Sequence, residues 1–403
     1  MSLLSVADAQ ARVLVGIAAL EAEILPLAQA AGRRAAADMP ATLTQPPFAA
    51  SAMDGYAIRW ADRAGPWAVT GEAAAGRGFA GVVGPGEAAR IFTGAPVPGG
   101  ADTVVVQEEV AADGGTAHLT ADGPPRLGAH IRPRGLDFAA GDLVVRAGEP
   151  LTPARLGLLA AAGHGAVAVP RRPRVTVLAT GDELVLPGTA PGPDAIVSSV
   201  GVMLTALFAA AGADVTDGGI VPDDRAALAA ALSGARVDLI VTVGGASVGD
   251  HDLVRPVLEG LGAAIDFWRI AMRPGKPMLS GRLGAARVVG LPGNPVSAFV
   301  GATLFVLPML RAWAGDTDPL PRLFTARLGA PLPANDRRQG YLRARLDHGI
   351  VTPAPRQDSS MLRTLADSNA LIVRAPLVPA SETDATVDCI ALDFVPGVAH
   401  TFL

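Results

Sequence analysis

The chain has 403 residues, half of them hydrophobic, and 33 Lys and Arg against 38 Asp and Glu give a formal net charge of −5. At about 150 residues per domain, this length predicts two or three globular domains. The negative balance argues against a nucleic-acid partner held through its phosphates. The single cysteine, Cys389, excludes an intramolecular disulfide framework and any multi-cysteine metal site.

The pattern changes from helical to β-rich within the first third of the chain. Apolar residues recur at helical spacing from Ser5 to about Ala37, and Ser5 with Asp8 predicts a capping box. From Gln45 to Asp137, short alternating apolar runs are separated by Gly and Pro clusters, which indicates a small β-rich domain. A further helix is predicted at 153–162.

From Arg171 the pattern alternates between strands and helices, which is typical of a parallel sheet covered by helices. The predicted strands lie at 175–179, 213–220, 237–243, 263–270 and 287–291. The predicted helices lie at 199–211, with Gly212 closing the first, and at 223–233 and 252–261. Short β patterns with prolines follow from 318 to 403 and indicate a β-barrel or sandwich.

Two segments bear on localisation. The most apolar stretch, 295–310, is shorter than the roughly 20 residues of a membrane span and contains Pro308, so a buried helix is predicted there. The N-terminus has no basic region before an apolar stretch, so no secretory signal is predicted. We expect a cytoplasmic protein that contacts neither membrane nor nucleic acid.

Glycine-containing loops follow three predicted strands: 180–183 (TGDE), 244–252 (GGASVGDHD) and 290–297 (GLPGNPVS). Ligands of open α/β sheets bind beyond the carboxyl ends of the strands, where glycine turns let backbone N–H groups face an anion. A fourth loop should bring three cations to the same edge: Arg269, Arg273 and Lys276. Nearby carboxylates predict Mg²⁺ bridging a phosphorylated ligand, and the candidate metal ligands are Asp182, Glu183, Asp250 and Asp252.

The second loop contains the string Gly245-Ala-Ser247-Val-Gly249, which also describes the nucleophile elbow of α/β-hydrolases. An elbow serine needs an acid and then a histidine further along the chain. His251 is too close, while the other downstream histidines lie in the C-terminal β region or three residues from the end. We therefore interpret Ser247 as a phosphate or pterin contact.

Two motifs stand apart in the β-rich region. The segment 51–57 reads SAMDGYA, and 92–98 reads FTGAPVP. Taken alone, Asp54-Gly55 and Thr93-Gly94 are ordinary hairpin turns. Together with TGDEL, GGASVGDHD, RPGKP and GLPGNPVS, in this order along nearly the whole chain, they resemble the molybdopterin molybdenumtransferases, the MoeA and gephyrin E-domain family.

The resemblance implies a multidomain α/β plus β fold in an elongated chain. A helical and linking domain would comprise 1–44 and 138–170, and a β-rich lobe with the SAMDG and FTGA motifs 45–137. A three-layer, MogA-like α/β molybdopterin-binding domain with a parallel sheet would span 171–317, and a C-terminal β-barrel 318–403. The family forms head-to-tail homodimers, which would bring the lobe of one subunit over the α/β rim of the other.

The implied reaction inserts molybdate into adenylyl-molybdopterin with Mg²⁺ and releases AMP, giving molybdenum cofactor. Whether molybdate or water attacks the phosphoanhydride stays open, as does the use of tungstate. The implied partners are a molybdopterin adenylyltransferase and molybdoenzyme chaperones. Adenylyltransferase activity and a gephyrin-like scaffold are the alternatives; the SAMDG and FTGA lobe and the barrel disfavour the first, and the acids disfavour the second.

Residue roles follow from positions in these motifs. Catalytic roles are implied for Asp54, Thr93, Glu183, Asp223 and Asp252. Arg269 and Arg273 stand where the family often has lysines, so the positive charge is kept with a different geometry. Loop analysis and resemblance together give the ligand-binding set as Asp137, Gly244, Gly245, Ser247, Gly249, Arg269, Arg273, Lys276, Pro292, Gly293, Asn294, Pro295, Arg343 and Ser359.

Overall fold

A computed structural model of the chain describes residues 3–245, 253–275 and 277–392, with the side chains of Trp268 and Pro277 excepted. The chain packs into two compact units. The insert unit is Ile24–Val169, and the principal unit combines Met1–Glu23 with Pro170–Leu403. The four-domain division stays a prediction.

The secondary structure contains short helices and many short strands. The helices are α1 Val6–Leu14, α2 Pro153–Ala161, α3 Val200–Ala210, α4 Arg225–Gly234, α5 Val254–Gly260, α6 Pro295–Gly301, α7 Leu307–Trp313 and α8 Leu362–Ala366. The strands before residue 170 are β1 Ala22–Pro26, β2 Met39–Pro40, β3 Ala50–Ser51, β4 Gly55–Ile58, β5 Trp67–Ala73, β6 Glu87–Ile91, β7 Thr103–Val106, β8 Val110–Asp113, β9 Thr116–Leu119, β10 Ile131–Arg132, β11 Leu143–Val145 and β12 Ala166–Pro170. The later strands are β13 Arg174–Thr180, β14 Leu184–Val185, β15 Ile196–Val197, β16 Asp214–Val221, β17 Leu239–Val243, β18 Ala264–Arg269, β19 Met272–Arg273, β20 Pro277–Leu283, β21 Ala286–Leu291, β22 Leu323–Leu328, β23 Gln339–Asp347, β24 Ile350–Pro353, β25 Ala370–Arg374 and β26 Thr386–Ala391.

The predicted helix from Ser5 to about Ala37 is wrong beyond its first three turns. Ser5 caps α1 by accepting the N–H of Asp8, as expected, but the helix ends at Leu14. Gly16, two residues later, has a φ of +69°, a conformation that glycine adopts at helix C-termini at little cost. The chain then enters β1, which pairs with β12.

The insert unit confirms the predicted β-rich region. Its main sheet has six strands in the order β7-β4-β6-β5-β9-β8. Within it, β4 runs antiparallel to both β6 and β7, while β5 runs parallel to β6. Trp67 and Ile58 are fully buried against one face, and Ile91 lies in the core of the other. The helix predicted at 153–162 is α2.

The principal unit contains a six-stranded sheet in the order β16-β13-β17-β21-β20-β18. The first four strands are parallel, as predicted. The sheet also contains β20, which was not predicted and pairs antiparallel with β21 and β18. Because two antiparallel pairings separate β18 from β21, β18 points the same way as the parallel strands. Its carboxyl end therefore lies at the same edge of the sheet as theirs.

The apolar segment forms one continuous helix, Pro295–Trp313. Its most apolar 18 residues have a mean hydropathy of 1.6, and 89% of that stretch is buried inside the protein. Burial in the core accounts for its apolar composition, as predicted. Pro308 does not interrupt it, because Ala302–Val306 widens into a π-helical turn. Proline has no N–H for the carbonyl four residues earlier. At that carbonyl, of Leu304, Gln10 of α1 donates from Nε2 at 3.1 Å.

The C-terminal part of the principal unit is a closed barrel, which resolves the barrel-or-sandwich expectation. Its strands follow the order β23-β24-β22-β26-β25, and β25 pairs back onto β23. Apolar residues from all five strands fill the interior, including Leu328, Val351 and Cys389. The short β19, which follows β18, adds to the barrel beside β23.

We predict that Gln10→Met lowers the free energy of unfolding of the principal unit by about 1 to 3 kcal/mol, because it leaves a buried carbonyl without this donor. Denaturant unfolding followed by tryptophan fluorescence measures the change. Gln29→Met, at an exposed position, is the matched control and should change stability by about 0.5 kcal/mol or less. Equal stability of the Gln10 variant and the wild type would contradict the role given to this bond.

Candidate functional site

A cleft of about 560 Å³, which we call the glycine cleft, lies beyond the carboxyl ends of β13, β17 and β21 in the principal unit. Strand ends, the β14–β15 segment, the start of α6 and a turn of the barrel all contribute to it. The lining residues are Ala179, Thr180, Glu183, Leu184, Ile196, Val197, Ser198, Ser199, Val200, Val243, Gly244, Gly245, Gly293, Asn294, Pro295, Ser360 and Leu362. Six residues predicted from sequence therefore meet in this cleft: Glu183, Gly244, Gly245, Gly293, Asn294 and Pro295.

Close backbone approach determines the floor of this cleft. Gly244 donates its N–H to the carbonyl of Leu291 at 3.1 Å. A Cβ at Gly244 would stand 2.6 Å from the carbonyl oxygen of Thr180, and its φ of +89° is one that other residues rarely adopt. A Cβ at Gly293 would lie 3.7 Å from the Cα of Gly244. The ends of three strands thus meet at Gly244, where a side chain is excluded, and backbone polar groups at such a turn can face a ligand.

Glu183 is the acid that lines the cleft among the described residues. The carboxylate of Asp182, by contrast, accepts the backbone N–H of Asp223 at 3.0 Å. Asp223 is exposed and does not line the cleft. Within residues 3–245, 253–275 and 277–392, no group of three or more His, Cys, Asp or Glu side chains could hold a metal ion.

The predicted cationic rim is arranged differently. Arg273 lies 3.7 Å from a carboxylate oxygen of Asp336, which also pairs with Arg338 at 2.7 Å. Hydrogen bonds from Arg338, with a smaller contribution from Arg273, lower the pKa of Asp336 to about 2. Asp336 and Arg338 line a separate opening, and neither Arg273 nor Arg269 lines the glycine cleft. Arg269 ends β18, and its backbone carbonyl accepts the N–H of Leu4.

A turn of the barrel closes one side of the cleft. The carbonyl of Ser359 accepts the N–H of Val296 at 3.0 Å, which ties this turn to the first turn of α6. The next residue, Ser360, lines the cleft. Its hydroxyl donates to Asp358 at 2.6 Å. Ser359 thus lies next to the cleft without lining it, and its main chain anchors the turn.

Arg343 lies behind this turn and is 1% exposed. Its guanidinium donates to the carbonyls of Met361 at 3.2 Å and Arg356 at 3.3 Å, at the two ends of the turn. Burial lowers the pKa of Arg343, and Asp358 opposes that effect. The geometry is that of a residue that positions the turn, rather than one that lines the cleft.

The insert unit carries a second acid site. The carboxylate of Asp54 accepts the backbone N–H of Thr93 at 2.7 Å and its hydroxyl at 2.8 Å. These two hydrogen bonds, aided by Arg90, hold the pKa of Asp54 below its ordinary value. The SAMDG and FTGA motifs, 39 residues apart, therefore form one ionised carboxylate site.

Arg90 is a site residue that the sequence analysis missed. It donates to the carbonyl of Gly55 at 3.1 Å and to the side chain of Gln107. Its guanidinium also stacks over Tyr56 and Phe92 at about 5 Å from each ring centroid. The available signal was its position in β6, where it pairs across the ladder with Tyr56, one residue from the SAMDG turn.

The remaining predicted residues divide into three groups. Asp137 is exposed in the insert unit, and its N–H donates to Gln45. Pro292 is buried and does not line the cleft. Those that lie outside the described residues are Ser247, Gly249, Asp250, Asp252 and Lys276. The cleft also contains polar residues that were not predicted as site residues: Thr180, Ser198, Ser199 and Ser360.

Family models match most of the chain in three consecutive segments. Residues 4–163 match the MoeA N-terminal region (domain I and II), and residues 176–312 match a probable molybdopterin binding domain. Residues 325–392 match the MoeA C-terminal region (domain IV). The three matches follow one another in chain order from α1 to the end of the barrel.

Named relatives are similar over most of their length. The chain is 38% identical over 364 residues to molybdopterin molybdenumtransferase 2 of Mycobacterium tuberculosis, covering 86% of this chain and 89% of that protein. It is 37% identical over 300 residues to molybdopterin molybdenumtransferase of Haemophilus influenzae, covering 73% of this chain and 74% of that protein.

A solved structure agrees in fold. The molybdopterin biosynthesis MoeA protein of Pyrococcus horikoshii superimposes with a TM-score of 0.84 at 30% identity, covering 98% of this chain and all of that chain. Sequence models, named relatives and the solved structure agree along nearly the whole chain. The chain therefore belongs to the MoeA family of molybdopterin molybdenumtransferases.

Proposed function

We propose that this protein inserts molybdenum from molybdate into adenylyl-molybdopterin and releases AMP. The observation that carries the proposal is the glycine-floored cleft, where three strand ends meet beside Glu183. Backbone N–H groups at such turns can hold phosphate oxygens, and the roughly 560 Å³ suits a ligand of nucleotide or pterin size. The similar molybdopterin molybdenumtransferases support the choice of reaction.

Within this proposal the cleft binds and orients the phosphoanhydride. The glycine turns at Gly244 and Gly293 bring the main chain to the surface of the cleft, and Ser198, Ser199 and Ser360 add hydroxyl groups around them. Cleavage of the phosphorus–oxygen bond sends the electron pair to the departing AMP oxygen, while oxygen of molybdate or water takes its place on the other phosphorus. Fixed donors around the phosphates stabilise the charge that develops there.

A requirement for Mg²⁺ is part of the proposal. Mg²⁺ is commonly held by one or two carboxylates together with substrate phosphates. Glu183 fits this donor set, because it lines the cleft, whereas Asp182 already accepts the Asp223 N–H. When bound, the ion would neutralise phosphate charge during cleavage.

Asp54 is the second proposed catalytic acid, and it belongs to the insert unit. An ionised carboxylate held by two hydrogen bonds has a fixed orientation and can serve as a base or as an ion ligand. We further propose a cytoplasmic homodimer, as the family resemblance implies, in which one subunit's Asp54 serves its partner's reaction. Supply of adenylyl-molybdopterin by a molybdopterin adenylyltransferase and delivery to molybdoenzyme chaperones complete the proposal.

Two other functions are less well supported. A molybdopterin adenylyltransferase would need the α/β domain alone, yet here an ionised acid site lies in the separate insert unit. A scaffold would have no need of the low-pKa carboxylate at Asp54. An enzyme that cleaves the adenylylated intermediate accounts for both features.

We predict that Asp54→Asn and Glu183→Gln each reduce AMP release from adenylyl-molybdopterin by about 100-fold or more, because each neutralises a charge required at the reaction centre. Release is measured chromatographically with molybdate and Mg²⁺ present. The matched controls are Asp122→Asn and Glu382→Gln, both at exposed positions, and these should retain wild-type rates. Wild-type turnover in either site variant would remove that residue from the mechanism.

Thr93→Val should raise the pKa of Asp54, because the hydroxyl bond is lost while the backbone N–H bond is kept. The Asp54 pKa is lowered from 3.8, so the stabilisation from its ionised form is present above 3.8 and is lost as pH falls through the folded-state pKa. Carboxyl ¹³C NMR titration measures the shift. Thr93→Ser keeps a hydroxyl and should titrate like the wild type; identical titration of the valine variant would contradict this account.

Arg343→Met should raise the KM for adenylyl-molybdopterin about tenfold with a smaller change in kcat, because the turn carrying Ser360 loses its two guanidinium bonds. Arg343→Lys should restore part of the affinity. Arg374→Met is the matched control, since Arg374 is also buried in the barrel but donates to Pro333 and Pro379 instead. That control should lower stability and leave KM unchanged; a kcat defect alone in Arg343→Met would exclude the positioning role.

A further inference from the structure

A second, smaller cleft of about 220 Å³ lies in the principal unit, at the end of its six-stranded sheet opposite to the glycine cleft. It is lined by Arg12, Val15, Asp266, Arg282 and Arg287. Arg287 is near the start of β21, whereas the glycine cleft follows the end of that strand at Leu291. The two clefts are therefore at opposite ends of the same strands.

The small cleft concentrates positive charge. Three arginines, from α1, β20 and β21, face a single acid, Asp266 of β18. In the part of the chain that the structure describes, no ion pair within 4.0 Å joins Asp266 to Arg12, Arg282 or Arg287. The cluster thus carries an excess of two positive charges in a recess shared by three arginines.

The positive charge of Arg287 is costly without a counter-ion, because the residue is only 6% exposed. Its guanidinium donates to the carbonyl of Val15, and Arg282 donates to the same oxygen at 3.2 Å. Burial first, and then the neighbouring charge of Arg282, lower the pKa of Arg287, with Asp266 opposing them. Each guanidinium has five N–H donors, so the carbonyl shared by Arg282 and Arg287 accounts for two of their ten.

We propose that this cleft binds a small oxyanion of the phosphate class. A tetrahedral dianion matches the excess charge, and its oxygens can accept paired N–H donors from the planar guanidiniums of Arg12, Arg282 and Arg287. The volume is below the roughly 300–1,000 Å³ of pockets for larger ligands, so an inorganic anion or a small phosphomonoester fits better than a nucleotide. The site is independent of the reaction proposed for the glycine cleft.

Isothermal titration of the full-length protein with inorganic phosphate, at constant ionic strength, tests the proposal. The Arg12→Gln/Arg282→Gln double variant changes two exposed side chains and should weaken binding about tenfold or more. Asp266→Asn removes the repelling carboxylate and should tighten binding about threefold. Arg322→Gln, at an exposed position distant in sequence from the cluster, is the matched control and should bind as the wild type does.

Two results would overturn the proposal. One is the absence of phosphate binding to the wild type at low ionic strength. The other is binding of equal strength in the wild type, the double variant and Asp266→Asn, which would place the anion elsewhere on the protein. Parallel titrations with sulfate and glycerol 3-phosphate identify the source: preference for inorganic anions assigns the site to free phosphate, and preference for the ester assigns it to a phosphorylated metabolite.

Discussion

The architecture of the candidate site depends on a close approach between strand ends. Gly244 donates to the Leu291 carbonyl, and a Cβ on it would collide with the Thr180 carbonyl at 2.6 Å. Only glycine satisfies both the left-handed backbone and the spacing. Because side chains are excluded there, main-chain groups form the cleft floor, and chemistry has to come from neighbouring loops. Glu183 and Ser360 are among the neighbouring side chains that line the cleft.

The acids and bases of this protein are held by different means. Asp54 is kept ionised by the Thr93 N–H and hydroxyl, so the insert unit supplies a carboxylate of fixed charge. Arg343 is buried, and its charge supports two carbonyls at the ends of a turn. Arg282 and Arg287, at the opposite ends of the strands, share the carbonyl of Val15 as acceptor within the described part of the chain. Buried arginines thus serve two purposes here: Arg343 positions a turn, whereas Arg287 belongs to the proposed anion site.

Sequence patterns predicted the strand–helix alternation, the β-rich insert, the buried apolar helix and the loops that meet at the cleft. They failed where tertiary partners decide. The helix from Ser5 stops before Gly16, a stop signal that apolar spacing obscured. Pro308 is accommodated by a π turn and by Gln10, which lies 294 residues from Leu304. Likewise, a linear motif places Arg343 at the site without revealing that its guanidinium points into the protein.

In the proposed reaction, cleavage of adenylyl-molybdopterin is coupled to molybdenum insertion. The most direct test incubates the purified wild-type protein with adenylyl-molybdopterin and Mg²⁺, with and without molybdate, and quantifies AMP and pterin-bound molybdenum together. If the two steps are coupled, molybdate stimulates AMP release, and the amount of molybdenum bound to the pterin product equals the amount of AMP released. AMP release without molybdenum incorporation, or formation of adenylyl-molybdopterin from ATP in its place, would contradict the proposed reaction.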